Sequence, residues 1–158
     1  AASYGQLDLL KYLFELGCEL DIINKDNDTP LLLATRWNYL ETIKWLYSKN
    51  CSIRNRNSIQ QTPLLVALRE NYVDISQWLL EQYPQGIHDI DDLGYTTMAY
   101  AAESGSLEMV RILREYGIGF DCVTNAKDGI IHLAIESGNL ELVKYIMDNA
   151  NEDELEWE

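Results

Sequence analysis

Thr29-Pro30-Leu31-Leu32-Leu33-Ala34 returns as Thr62-Pro63-Leu64-Leu65-Val66-Ala67, 33 residues further along. A third version, Thr96-Thr97-Met98-Ala99-Tyr100-Ala101, follows after 34 residues, and a fourth, Gly129-Ile130-Ile131-His132-Leu133-Ala134, after another 33. Projected backwards, the alanine slot falls on Ala1. A fixed period of this length signals a stacked architecture, in which each unit is too small to bury its own apolar side and buries it against the next.

Every other column falls into the same register. Gly5, Asn38, Asn71, Gly105 and Gly138 share one slot. Only glycine and asparagine occur there, the residues that tolerate a left-handed backbone just past a helix end. A short first helix therefore ends at that slot. Thr29 and Thr62 suit its N-cap, where a hydroxyl accepts a free backbone N–H. Pro30 and Pro63 suit the next position, where no amide hydrogen is needed. The alanine column (1, 34, 67, 101, 134) allows helices to approach closely. A second helix begins after the Gly/Asn slot. Leu7, Leu40, Val73, Leu107 and Leu140 are apolar, and Asp8, Glu41, Asp74, Glu108 and Glu141 are acidic. A carboxylate there complements the positive end of the helix dipole. Lys11, Lys44, Gln77, Arg111 and Lys144 stand three residues on, within i,i+3 reach.

On these residues the chain resembles the ankyrin repeat family, whose motif is Thr-Pro-Leu-His-x-Ala at a period of 33. The resemblance covers nearly the whole chain. It implies an all-α solenoid: a β-turn finger, then two antiparallel helices, with neighbours stacking into a curved array. The expected division is a partial repeat at 1–21, repeats at 22–54, 55–89, 90–121 and 122–151, and an acidic tail at 152–158. There are departures. The motif histidine occurs only at His132; Leu32, Leu65 and Ala99 stand in its place elsewhere. The finger-turn glycine occurs only at Gly94, with Asn27 and Gln60 in its place earlier. One extra residue sits around Tyr83-Pro84-Gln85-Gly86, and Asn125-Ala126-Lys127-Asp128-Gly129 is expected to form an irregular finger.

Composition narrows the function. Among the 158 residues 47% are apolar, enough for a continuous core, yet no apolar run approaches the roughly 18 residues that a membrane helix needs. The first residues carry no basic n-region of a signal peptide. A net charge of −14 argues against nucleic acid and against an anionic membrane surface, since both recruit Lys and Arg. It is compatible with a basic protein partner, although surplus charge also serves solubility alone. Cys18, Cys51 and Cys122 make neither a closed disulfide set nor a zinc motif, which suggests an intracellular, cytoplasmic setting. The opening half-repeat shows no polar cap, with Leu7, Leu9, Leu10, Leu13 and Phe14 all apolar, so further repeats or another domain are expected ahead of it.

No catalytic constellation stands out. His132 occupies the family's structural histidine slot, where a hydrogen bond near the helix start is expected, and His88 reads as a surface-loop residue. Cys18 and Cys51 share a small-residue packing slot, and Cys122 has no basic neighbourhood to lower a thiol pKa. The recurring acids read as a solvated helix face. Asp89, Asp91 and Asp92 lack EF-hand spacing, and no phosphate loop is present, so no metal, cofactor or enzymatic activity is expected.

Resemblance to ankyrin arrays implies that a partner protein binds a concave surface of fingers and first helices. The variable positions lie four, three and one residues before the motif threonine and seven and eight after it. Carried over, they place Lys25, Asp28, Arg36 and Trp37 in one unit; Ile59, Gln61 and Arg69 in the next; and Asp92, Leu93, Tyr95 and Glu103 in the third, with Tyr4 in the half-repeat. Trp37 and Tyr95 are the strongest candidates, because exposed aromatics dominate binding hot spots; against this, Trp37 would be core if it folded over a neighbouring helix. A second aromatic column, Tyr12, Trp45, Trp78, Ile112 and Tyr145, reads as a bulky layer between second helices. Three function classes follow: a protein-interaction scaffold, a regulatory or targeting segment of a larger enzyme or channel whose partner is another domain of the same chain, and, least favoured, an enzyme in its own right.

Overall fold

The computed structural model describes residues 6–151. Gly5, Tyr4, the alanine slot at Ala1 and the acidic tail at 152–158 lie outside the described residues. The helices are α1 (Leu7–Glu15), α2 (Pro30–Arg36), α3 (Leu40–Ser48), α4 (Pro63–Arg69), α5 (Val73–Gln82), α6 (Thr97–Glu103), α7 (Leu107–Glu115), α8 (Ile130–Glu136) and α9 (Leu140–Asn149), with a 3₁₀ turn η1 at Pro84–His88. The short first helices α2, α4, α6 and α8 pack in a row, and each lies against its own second helix.

The first-helix caps form as the residue types dictate. Thr29, Thr62 and Thr96 accept from the backbone N–H three residues on, at 3.2, 3.4 and 3.2 Å. Pro30 and Pro63 take the first helical position. Asn38, Asn71, Gly105 and Gly138 all have positive φ, between 57° and 72°. The alanines of the packing column, Ala34, Ala67, Ala101 and Ala134, are fully buried. Around them Leu31, Leu65, Met98 and Leu133 join Ile43, Leu46, Leu79, Leu113 and Ile146 from the second helices in one continuous core. Apolar burial contributes about 1.5–3 kcal/mol for each such side chain, so the stability of the stack is shared among neighbours.

The extra residue of the third unit is absorbed by η1. Gly86 lies so close to Tyr83 that an added Cβ would stand 2.8 Å from the ring edge. The turn returns Ile87 to the core, and Thr97 donates to its carbonyl at 2.6 Å. The last finger, expected to be irregular, is regular instead: Lys127 adopts φ 69°, the same left-handed turn as Asn27, Gln60 and Gly94, and Val123 bridges to Gly129. A lysine at that slot carries the strain of a non-glycine residue, and neighbouring hydrogen bonds hold it there.

Two expectations about buried columns need correction. Cys18 is exposed whereas Cys51, one repeat on, is buried with its thiol 3.9 Å from the Leu20 carbonyl. The slot is a packing position only where a preceding loop covers it. The second aromatic column is core-facing at Trp45, Trp78, Ile112 and Tyr145, but Tyr12 is exposed. Edge-to-face contacts, Phe14 with Trp45 at 5.9 Å and Tyr47 with Trp78 at 5.4 Å, link successive second helices.

Asn71, at φ 57°, tests the backbone requirement. Asn71→Ala should lose about 1 kcal/mol, since alanine pays the left-handed penalty without asparagine's local hydrogen bonding. Asn71→Gly should be near neutral. Urea unfolding distinguishes them; equal effects would show that the slot imposes no conformational demand.

Candidate protein-binding surface

Each finger is braced from within. Asn24 Oδ1 accepts from the backbone N–H of Asp26 and Asp28 at 2.8 and 2.9 Å. Asn57 does the same for Ile59 and Gln61, and Asp91 for Leu93 and Tyr95. Thr124 Oγ1 accepts from Asp128 N at 3.2 Å in the last finger. The sequence reading passed over this column, although Asn and Asp before a turn are a recognised signal. Neighbouring fingers are stitched together by backbone bonds: Ser58 N–H to Asp26 O at 2.9 Å, Asp92 N–H to Ile59 O at 3.2 Å and Asn125 N–H to Leu93 O at 3.0 Å. The fingers thus form one supported row.

The expected site residues do not all reach the surface. Asp28 and Gln61 are each only 1% exposed. Both were expected to face a partner; instead each anchors the residue eight positions on. Asp28 holds Arg36 through two parallel bonds, at 2.9 and 3.0 Å. Gln61 Oε1 accepts from Arg69 at 3.1 Å, and Arg69 also pairs with Glu70 at 2.7 Å. In the third unit the polarity reverses: the Tyr95 hydroxyl donates to Glu103 at 3.2 Å, and the Tyr95 ring stacks on Tyr100 at 4.7 Å. Tyr100 donates in turn to Asp91 at 2.7 Å and accepts from Gln61. In the fourth unit the corresponding positions are Asp128 and Glu136, two acids. The first-helix end of the face therefore runs from paired guanidinium groups to carboxylates.

The apolar candidates stand out from this frame. Trp37 is 55% exposed at the C-cap of α2, so it does not fold into the core. Leu93 is 53% exposed and Ile59 38%, side by side on bonded fingertips. Lys25 and Asp92 are exposed; Arg36, Arg69, Tyr95 and Glu103 are partly covered. Tyr4 lies outside the described residues.

Titration of the face follows its burial. Burial pushes the Tyr95 hydroxyl up to about 12 from 10.0, with the Glu103 carboxylate adding to it. Burial also raises Glu103, against the Tyr95 bond that lowers it, and the nearby Glu136 charge adds to the rise. Cys51 and Cys122 are both pushed up to about 11 from 9.0, chiefly by burial, which makes them poor nucleophiles. Among the described residues no group of three or more His, Cys, Asp or Glu is placed to hold a metal ion, and no helix is long and apolar enough to cross a membrane.

Two outcomes follow. Arg36→Ala should destabilise the fold by about 3 kcal/mol, because it strands the Asp28 carboxylate without its partner. Arg69→Ala should cost only ~1 kcal/mol, because Gln61 is neutral. Equal losses in chemical unfolding would contradict the pairing. The raised thiol and phenol pKa values mean that the folded chain holds these protons more tightly than the unfolded one. Their contribution is complete below the ordinary values of 9.0 and 10.0 and is lost as pH rises through about 11 for the thiols and about 12 for Tyr95. The unfolding midpoint should fall steadily above about pH 9; a midpoint that rises there would have the sign wrong.

A family model described as ankyrin repeats, in three copies, matches residues 1–91 and 83–155. No curated protein matches the chain. Ankyrin repeats are in general protein–protein interaction modules and are typically non-enzymatic. With the repeated caps, left-handed slots, braced fingers and stacked helix rows already in place, the match makes the chain a member of the ankyrin repeat family.

Proposed function

We propose that this array binds a partner protein along its fingers and first-helix ends, the concave face of the stack. The observation that carries the reading is the exposure of Trp37 at the end of α2 and of Ile59 and Leu93 on a row of hydrogen-bonded fingers. Large apolar side chains on a rigid frame cost little backbone ordering when a partner covers them, which suits binding hot spots. Apolar groups rimmed by polar ones mark contact sites on soluble proteins.

The charges add a direction. Arg36 is already matched by Asp28, and Arg69 by Glu70. Glu103, Asp128 and Glu136 follow with no such cation in the same positions. The partner segment accordingly offers apolar side chains toward α2 and the middle fingers, and Lys or Arg toward α6 and α8. Complementarity of this kind acts mainly on association rate and on choice of partner.

Trp37→Ala should leave helical content unchanged and weaken the partner by about 2 kcal/mol or more. Glu136→Lys should slow association and flatten its dependence on salt. Affinity capture with the parent chain, followed by calorimetry and stopped-flow kinetics on the recovered partner, reads both. Recovery of the same partner with unchanged affinity by Trp37→Ala would place the binding surface elsewhere. Loss of helix in that variant would make Trp37 structural.

A further inference from the structure

The second and third fingers are fastened to one another by side chains as well as by a backbone bond. Arg56 donates to the Gln60 carbonyl of its own finger at 2.7 Å, and to the Ile90 carbonyl and Asp89 of the next at 2.9 and 2.8 Å. Deeper in, a run of polar groups crosses the same junction. Arg69 donates to Gln61 Oε1, the other end of the Gln61 amide donates to the Tyr100 hydroxyl, and Tyr100 donates to Asp91 Oδ2. Asp91 Oδ1 in turn holds the backbone N–H of Leu93 and Tyr95. Gln61, Tyr100 and Asp91 are all buried.

The run has a direction, set by its two ends. A guanidinium can only donate, so it draws Gln61 Oε1 toward itself and leaves Nε2 to face Tyr100. A carboxylate can only accept, so the Tyr100 proton goes to Asp91. Burial, with the Asp91 bond adding to it, pushes the Tyr100 hydroxyl up, which keeps that proton in place. A buried network satisfied in one orientation favours a single conformation. The parts occur together at this junction alone among the described residues. Leu33, Val66 and Leu133 take the Tyr100 position in the other units. Asp28, at the Gln61 position, turns to Arg36 of its own unit. The same junction carries the extra residue absorbed by η1.

We infer that this relay locks the second and third fingers into one rigid recognition element, with Tyr100 as the positioning residue that keeps the Ile59 and Leu93 tips in register. The inference rests on the binding reading above for the role of the two tips; the lock is a property of the free chain and is tested there, so either can fail without the other. A preordered pair of tips favours a partner whose own two apolar side chains are held at a matching spacing.

The direction of the relay gives a test that packing alone would not pass. Asparagine already braces the first two fingers, at Asn24 and Asn57. Asp91→Asn therefore keeps the brace and removes only the acceptor for Tyr100. Gln61→Glu sets two carboxylates about the single Tyr100 proton. Each substitution, like Tyr100→Phe, should speed hydrogen exchange of the Leu93 and Tyr95 amides at least about tenfold, through local opening. The Ile59 and Gln61 amides of the neighbouring finger should speed up with them. The amides of Asp26 and Asp28, in the first finger, and those within α4 and α6 should stay as they were. The double variant Gln61→Glu/Asp91→Asn reverses the relay: the new amide donates to Tyr100, whose proton goes to the new carboxylate beside Arg69. Exchange should return to within about threefold of the parent chain, a non-additivity that only interacting sites produce. Unchanged exchange in the single variants would overturn the inference. So would a double variant as loose as the two losses added together, or a loss of protection spread evenly over the whole chain.

Discussion

The structure depends on one contact, the close approach of successive first helices across the alanine column. Ala34, Ala67, Ala101 and Ala134 are all fully buried, so a larger side chain there would overpack the meeting of these helices. A unit of about 33 residues has too little interior to be stable alone, so each borrows its core from the next. The neighbouring features serve that contact. Threonine caps and prolines start the first helix at a fixed residue, and the left-handed Asn or Gly ends it two turns later. The second helix then folds back against it. The fingers, stitched by backbone bonds, inherit the same spacing.

That dependence explains what was legible in the sequence. The caps, the left-handed slots and the alanine column are steric demands on single residues, so they show as columns. Less legible was anything decided by what lies next door. Cys18 and Cys51 share a slot, yet only Cys51 has a preceding loop over it. Lys127 was unrecognisable as a turn residue from its type alone, because backbone bonds rather than propensity hold it at φ 69°.

The proposed binding face shows the same division. Offsets from the motif threonine lead to Trp37, Ile59 and Leu93, which are exposed. They could not show that Asp28 and Gln61 turn inward. That depends on the partner eight residues on, Arg36 or Arg69, whose guanidinium draws the finger residue under it. The pairing fixes long side chains at the finger base, while the apolar tips Ile59 and Leu93 stay exposed. Its inversion at Tyr95 and Glu103, and the acid pair at Asp128 and Glu136, change the face's charge without changing its frame. Frame and proposed recognition thus fall to different residues of one repeat.

Native-state hydrogen exchange tests the central claim most directly, since it reads the stability of every helix in one experiment. If stability comes from stacking between neighbours, protection should be greatest in α4 and α6, which have first helices on both sides, lower in α2 and α8, and least in α1. Uniform protection along the chain, or α1 as the most protected helix, would contradict the account.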